Sequence, residues 1–372
     1  MINKEQVISK TIKSFIEYFD SEPEFTCAYP GRVNLIGEHL DYNKGMSISC
    51  GINRWIAVSV SNRKDNKIIV RSENLKSEII FNLELKDKPI ELWHKYVFGS
   101  LNIFASHYQL KKGLNIIING NVPIGSGLSS SAALELALLS SYFNLFNIEI
   151  DKLELAKLCQ KIEHEYLLID SGLLDQFSSI YAKSNYYTLI NFEDLSYSYI
   201  ENNIKGTSLL VINSMVKREL ANSKYIERVE ECRKGFKIIN QNKLDKISES
   251  DLRNIESHPV LKKRFLHILS EYRRVYQMKD CIINNNVIDA GKILIESHNS
   301  LKQDYEVSCN EINFLIDVSM ESQAWYGGRI MGGGFGGSTV NLVNTKLIEE
   351  YIDLVDRSYK NEFDIDLEFY LV

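Results

Sequence analysis

The spacing of apolar and polar positions changes period several times along the chain. MINKEQVISKTIKSFIEYF sets apolar residues between charges at helical intervals and predicts an amphipathic surface helix. FTCAYPGRVNLIG alternates as a strand does, and Pro30-Gly31 predicts that it breaks into a turn there. SISCGINRWIAVSVSNR and NKIIVRSENLKSEIIFNLEL alternate and are rich in β-branched residues, so they read as strands. LWHKYVFGSLNIFASHY suits a helix, GLNIIINGNVP a strand, and AALELALLSSYFNLF an apolar helix. Asp151, with Glu154 one turn on, predicts an N-cap and a helix through about Leu167.

The polar stretch from Tyr199 to Gly206 marks an expected boundary. Beyond it TSLLVINS predicts a strand, while SKYIERVEECRKGFKII and much of 250–325 predict helices. A Gly-rich turn then leads into the strand STVNLV, and the chain closes on IDLEFYLV. Strands and helices alternate irregularly, without the steady βαβ period of a doubly wound or barrel fold, so the class is α+β.

Composition narrows the function. A chain of 372 residues exceeds one ordinary core and predicts two domains. A hydrophobic fraction of 44% with 25% charged residues excludes wholesale disorder and collagen-like structure. Lys and Arg number 43 against 49 Asp and Glu, a net charge of −6, which argues against a nucleic-acid partner. No run approaches about 18 uninterrupted apolar residues, so no membrane span is expected. The N-terminus lacks the apolar core of a signal peptide. Cys27, Cys50, Cys159, Cys232, Cys281 and Cys309 are scattered, with no CxxC pair, and predict reduced thiols in a cytoplasmic protein.

Three segments carry candidate chemistry. Asn121-Val-Pro-Ile-Gly125-Ser126-Gly127-Leu128-Ser129-Ser130-Ser131 joins a strand to a helix through glycines and hydroxyls. Glycines let backbone N–H groups approach an anion, and the helix start adds unpaired donors, which together make a phosphate cradle. The plainer alternative is a Gly/Ser turn with a Ser N-cap. It is not a Walker A loop, since the Gly-Lys-Ser/Thr ending is missing, and no protein-kinase HRD or DFG signature occurs.

In the second segment, between Gly31 and Gly45, Arg32, Glu38, His39 and Asp41 crowd together, which suits a polyhydroxylated ligand or, more plainly, a solvated charged turn. The third, Gly332-Gly333-Gly334-Phe335-Gly336-Gly337, satisfies GxGxxG on paper. As a dinucleotide fingerprint it fails, because no βαβ unit follows it.

Taken together and in this order, the segments resemble the GHMP small-molecule kinases and, within them, the galactokinases. The family signature GRVNLIGEHTDYN is present as GRVNLIGEHLDYN, PxGxGLSSSA as PIGSGLSSSA, and the GGGFGG turn is intact. LCQKIEHEYLLIDSGLLDQFSS resembles the helix and loop that carry the family's catalytic Asp. VINSMVKRELANSKYIERVEEC and SHNSLKQDYEVSCNEI resemble its C-terminal segments, so the likeness spans roughly residues 20 to 370. It implies transfer of the ATP γ-phosphoryl group to the anomeric hydroxyl of a hexose. It also implies a two-lobed α+β fold: an N-terminal lobe like ribosomal protein S5 domain 2 over residues 1–200, and a ferredoxin-like lobe over 201–372, with the active site between them.

The same resemblance assigns roles. Asp175 is the base that takes the sugar hydroxyl proton, and Arg32 beside it offsets charge on the transferring phosphoryl oxygens. Ser131 and Glu163 match ligands of Mg²⁺, a hard ion suited to hydroxyl, carboxylate and phosphate oxygens. Glu38, His39, Asp41, Gly172 and Tyr225 fall where the family holds its sugar. Gly125, Ser126, Gly127, Leu128, Ser129, Ser130 and Ser131 hold the ATP phosphates, and Trp93 and Tyr96 flank adenine. The expected partners are a small-molecule sugar and ATP, with no nucleic acid and no membrane, and the expected state is a monomer.

The chain departs from the family at several points. Leu40 stands for Thr, Ser49 for Pro, Ile169-Asp170-Ser171 for Met-Pro-Cys and Ser338 for Cys. Leu40 and Asp170 flank presumed sugar contacts, which keeps N-acetylgalactosamine, galactosamine and arabinose open beside galactose. A non-catalytic sugar sensor would show an eroded catalytic set, whereas Arg32, Ser131, Glu163 and Asp175 are all present.

Overall fold

Asn3 opens the N-terminal helix α1 (Lys4–Phe19): its side chain accepts from Gln6 N, and the Gln6 side chain answers at Asn3 N. The apolar stripe buries Val7 and Phe15 and leaves the charged face in water, as its spacing predicts. The computed structural model describes residues 3–86, 88–216 and 221–372. These form two compact units interleaved along the chain, one comprising residues up to Arg32, Gly51–Ile124 and Leu128–Ala182, the other Val33–Cys50, Gly125–Gly127 and Lys183–Val372.

In the first unit, β1 (Phe25–Ile36) begins against β2 (Met46–Asn62). The remaining strands are β3 (Lys67–Ser72), β4 (Ser77–Asn82) and, after helix α2 (Leu92–His107), β5 (Leu114–Gly120). Their order is β4-β3-β5-β2, with β3 and β5 parallel and the other pairs antiparallel. Ile56 of β2 opposes Gly120, and the register runs to Asn62 opposite Leu114.

Helices α3 (Ser130–Leu145), α4 (Lys152–Ile162) and α5 (Leu174–Ile180) complete this unit. Ala132, Ala133, Leu136, Ala137, Leu139 and Tyr142 bury α3 on nearly every face, as an unbroken apolar pattern demands. It packs against α2, α4 and α5. Asp151 caps α4 by accepting from Leu153 N and Glu154 N. The helix that the sequence predicts through Leu167 is α-helical only to Ile162; Glu163–Leu167 is a single π-helical turn. No residue preference announces a π turn, which is a local rearrangement often found at functional sites.

Pro30-Gly31 is not a turn, contrary to the sequence reading. β1 runs through it, because Arg32 N donates to Leu128 O at 3.1 Å and keeps the backbone extended. A Cβ on Gly31 would lie 2.5 Å from Leu128 O, so this glycine serves a close backbone approach. The chain turns instead after Gly37, whose φ is +95°.

The second unit contains the start of β2, where Met46 to Ser49 pair antiparallel with Asn191 to Thr188 of β6 (Tyr186–Asn191), and β7 (Ser196–Glu201) follows on β6. Tyr199, the start of the polar stretch expected to mark a boundary, therefore lies in an exposed strand. Next come β8 (Thr207–Asn213), α6 (Ala221–Ile239), α7 (Glu249–Arg253), α8 (Pro259–Ile283), α9 (Val287–Gln303) and α10 (Asn310–Ser319). The chain ends with β9 (Trp325–Met331), β10 (Ser338–Asn344), α11 (Ile348–Phe363) and β11 (Glu368–Leu371). A second sheet has the antiparallel order β11-β8-β10-β9. Lys217 to Leu220, part of VINSMVKRELANSKYIERVEEC, lie outside the described residues.

Helix α9 meets β9 so closely that a Cβ on Gly291 would fall 2.0 Å from Tyr326 O. No helix among the described residues is long and apolar enough to cross a membrane.

Gly31→Ala tests the close approach in β1. The added methyl meets a backbone oxygen that no side-chain rotation can clear, so a loss of about 1–3 kcal/mol is expected, the range for overpacking. Urea denaturation measures it, and an unchanged midpoint would contradict the account.

Candidate active site

Within the first unit, Arg32 and Asp175 meet across a sequence separation of 143 residues. Arg32 Nε donates to Asp175 Oδ1 at 2.9 Å, and Nη2 donates to the same oxygen. Asp175 Oδ2 accepts from the Ser129 hydroxyl. The Arg32 side chain is only 5% exposed whereas that of Asp175 is 31% exposed, so the carboxylate is fixed from within and still open to a substrate. Asp175 stands in the first turn of α5, while β1 delivers Arg32 from the sheet.

Ser129 bears on the plainer alternative for the Gly125–Ser131 loop, a turn with a Ser cap. It occupies the N-cap position of α3 in a left-handed conformation, φ 56°, but makes no side-chain cap hydrogen bond. Its hydroxyl is spent on Asp175, so the first-turn N–H groups of α3 have no side-chain cap and suit an anion. Gly125 and Gly127 take φ of +79° and +75°. A Cβ on Gly125 would meet nothing within 4 Å, so its backbone faces open space. Ser131 lies in the first turn of the helix.

Acid groups gather near Asp175 in the first unit. Glu163 opens the π-helical turn, is buried, and accepts from the Ser171 hydroxyl. Burial pushes its pKa up to about 7, the Ser171 hydrogen bond resists, and the charge of Asp175 adds to the rise. Glu135, one helical turn beyond Ser131, is fully buried and accepts from Gln176 Nε2 at 3.2 Å. Burial, then the charge of Glu163, raises its pKa well above the usual carboxylate range. Glu135 Oε1 and Gln176 Oε1 are buried without a hydrogen-bond partner.

These two acceptor oxygens lack a donor, and with the Glu163 carboxylate they make a set whose chemistry fits a hard divalent ion. Among the described residues no three acidic, His or Cys side chains converge as a ready-made metal cage. Tyr96 joins the same neighbourhood: burial, then Glu163 and Glu135, raise its pKa. Trp93, on the same face of α2, is half-buried with its ring edge-on to His94 at 4.1 Å. Gly172 lies in the loop between the π-helical turn and α5, a loop held by Gln160 Nε2 donating to Ser171 O at 2.9 Å.

The second unit holds the other signature. His39 stacks at 4.7 Å from Tyr305 and 5.8 Å from Tyr225, and its Nδ1 bonds to the Tyr42 hydroxyl at 2.8 Å. The Tyr42 hydroxyl continues to that of Tyr305 at 2.9 Å. His39 Nε2 is buried with no partner, a polar atom that suits a ligand hydroxyl. His39 and Tyr225 thus belong to one aromatic cluster with Tyr42 and Tyr305, Glu38 precedes His39 and is buried, and Asp41 is half-buried in the same turn. Leu40, the departure from Thr, is fully buried and packs where a Cβ on Gly45 would meet it at 2.8 Å.

The Gly332–Gly337 turn is braced by Phe335 N donating to Val307 O at 2.6 Å and by the Ser214 hydroxyl donating to Gly337 O at 2.7 Å. The Ser338 hydroxyl, directly after the glycine turn, then donates to Ser126 O at 2.6 Å and so ties the turn to the Gly125–Gly127 segment within this unit. Sequence reasoning missed Glu135, Gln176, Tyr42, Tyr305 and Arg329. A signal existed for Glu135, since a lone carboxylate inside AALELALL conflicts with a fully apolar helix.

Burial, the largest influence on each, lowers the pKa of His39 well below its ordinary value and those of His267 and His298 to about 4. The unfolded chain protonates such residues near 6.5. Their contribution to stability is therefore present above about pH 6.5 and is lost as pH falls toward 4. NMR titration should find these three imidazoles in their neutral form from pH 7.5 down to 5.5; titration near 6.5 would refute their burial in neutral form.

Comparison with known proteins shows the family. The family described as GHMP kinases N terminal domain matches residues 95–183, and the galactokinase galactose-binding signature matches residues 13–62. A galactokinase of Clostridium beijerinckii is 34% identical, covering 96% of this chain and 95% of its own. One from Thermotoga neapolitana is 31% identical over 92% of this chain and 95% of its own. The crystal structure of Lactococcus lactis galactokinase complexed with galactose aligns with a TM-score of 0.90 at 31% identity, covering 98% of this chain and 97% of that one. A mevalonate kinase aligns at TM-score 0.66 and 20% identity, a likeness of fold alone. Matched along its whole length at this identity, the chain belongs to the galactokinase family of GHMP kinases.

Proposed function

We propose that this protein is an ATP-dependent galactose 1-kinase, converting galactose and ATP to galactose 1-phosphate and ADP. The observation that carries the reading is Asp175, held on one oxygen by Arg32 and on the other by Ser129, the residue that precedes α3. In the reaction Asp175 accepts the proton of the anomeric hydroxyl, whose oxygen attacks the γ-phosphorus as the bond to the β-phosphate oxygen breaks and ADP departs. Phosphoryl transfer needs mainly positioning and charge neutralisation, so a carboxylate of modest basicity suffices. Arg32 offsets charge on the transferring oxygens, and Gly125 to Ser131 hold the phosphates with backbone N–H groups and hydroxyls.

Trp93 and Tyr96 flank adenine in this reading. Ser131 and Glu163 would hold a magnesium ion, which when bound neutralises phosphate charge; the unpartnered acceptors around Glu135 and the raised pKa of Glu163 support that fit. Glu38, His39, Asp41, Gly172 and Tyr225 bind the sugar. Galactose is favoured over its amino and pentose relatives because the galactokinase galactose-binding signature matches residues 13–62, the stretch that contains Leu40. The protein works as a monomer in the cytoplasm, where the free state of all six cysteines is at home.

An ADP-release assay across a panel of aldoses, with and without Mg²⁺, tests the reading. Metal-dependent turnover with galactose preferred is expected, and no turnover on any aldose would end it. Asp175→Asn should leave sugar binding within a few-fold while lowering turnover by about 10²–10⁴, the range for a positioned base. Near-normal turnover would remove Asp175 from its role. Asp41→Ala should weaken sugar use about 10- to 150-fold, the equivalent of one hydrogen bond to a charged group, with ATP affinity unchanged. Measured on one folded variant, a loss of ATP binding with the sugar constant intact would take Asp41 out of the sugar site.

A further inference from the structure

Glu38 is held at three points, all within the second unit. Arg329 of β9, wholly buried, donates from Nη1 to Glu38 Oε2 at 2.7 Å. The same guanidinium donates to Leu35 O at 2.9 Å, to Asn34 O at 2.7 Å and to Ile330 O at 2.7 Å, so it clamps the strand leading into Glu38 as well as its side chain. From α8, Glu271 Oε1 accepts from Gly37 N at 2.9 Å and Glu38 N at 3.3 Å, and His267 Nε2 lies 3.3 Å from Glu38 O. Glu271 is itself steadied by Arg274 Nε at 2.8 Å and by the Ser297 hydroxyl at 3.0 Å.

Only Glu38 Oε1 carries no hydrogen bond from any described residue. Buried ion pairs are a poor source of stability, since well-packed apolar residues commonly serve as well or better. Two such pairs around one short turn therefore point to orientation as their use. A carboxylate with one oxygen locked by a buried guanidinium cannot rotate, and it offers its second oxygen in a single place.

We propose that Arg329 is the positioning residue of the sugar site: it locks Glu38 through Oε2 so that Oε1 alone accepts a hydrogen bond from a sugar hydroxyl. The inference rests on Glu38 being a sugar ligand, as proposed above. A misplaced acceptor weakens binding of the sugar and leaves the phosphate loop and Asp175 untouched, so the effect falls on sugar affinity and not on turnover.

Arg329→Lys retains the charge and loses the forked geometry. Calorimetry with galactose alone, steady-state kinetics and thermal melting should show a sugar Kd and KM raised about 10-fold or more, the equivalent of one charge-assisted hydrogen bond. The values of kcat and of KM for ATP should stay within a few-fold. Glu38→Gln should weaken the sugar similarly, and the double variant should be little worse than the worse single one, because both break one device. If Glu38→Gln weakens the sugar but Arg329→Lys does not, or if the two effects simply add, the positioning role is wrong while the sugar site stands. If Glu38→Gln leaves galactose binding intact, Glu38 is no sugar ligand and the inference falls with that reading. Should Arg329→Lys fail to fold, Glu271→Gln loosens the same turn from α8 and must raise the sugar KM selectively; an equal loss in kcat and in both KM values would show a merely structural network.

Discussion

Both carboxylate oxygens of Asp175 are engaged before any substrate arrives, one by Arg32 and one by Ser129. Much of the first unit follows from that arrangement. β1 must stay extended through Pro30-Gly31 to deliver Arg32, and Gly31 must lack a side chain so that Leu128 O can approach. Ser129 must turn left-handed and give up the capping of α3, which leaves the helix start available to an anion. A hydroxyl that would ordinarily cap a helix is diverted to hold the Asp175 carboxylate, at a cost in local stability.

The two units handle buried charge in opposite ways. In the first, Glu135 and Glu163 lie buried near Asp175, and burial drives their pKa values upward. In the second, burial would also raise the pKa of Glu271, but Arg274, His267 and Arg329 hold it down to about 2. Buried acids short of positive partners make a site that gains from a cation. Fully compensated acids make a rigid wall, which suits recognition of neutral hydroxyls by direction and not by net charge.

Candidate chemistry packed into contiguous residues stood out in the sequence. The Gly125–Ser131 loop and the turn from Glu38 to Asp41 did so because glycines and hydroxyls, or charges and glycines, lie side by side. Strong alternation gave β2, β3 and β5, and strict amphipathicity gave α1. What the sequence hid depends on distance or on local rearrangement. Arg329 reaches Glu38 across 291 residues, and nothing around it in WYGGRIM distinguishes a clamp from a strand-edge charge. The π-helical turn that carries Glu163 reads as ordinary helix, since the same residues suit both. Pro30-Gly31 misled because the glycine answers to Leu128 O, a neighbour no local pattern contains. β6, β7, β9 and α11 went unassigned: the partners that pair with the strands, and the α10 face on which α11 packs, are likewise distant in sequence or formed only on folding.

Identification of the product tests the central claim most directly. Galactose, MgATP and the protein are incubated and the mixture followed by phosphorus NMR with proton correlation. The account predicts a single new phosphate ester whose phosphorus couples to the anomeric proton, forming as ATP gives way to ADP. An ester on the C6 hydroxyl, or ADP and free phosphate with no sugar phosphate, would contradict it.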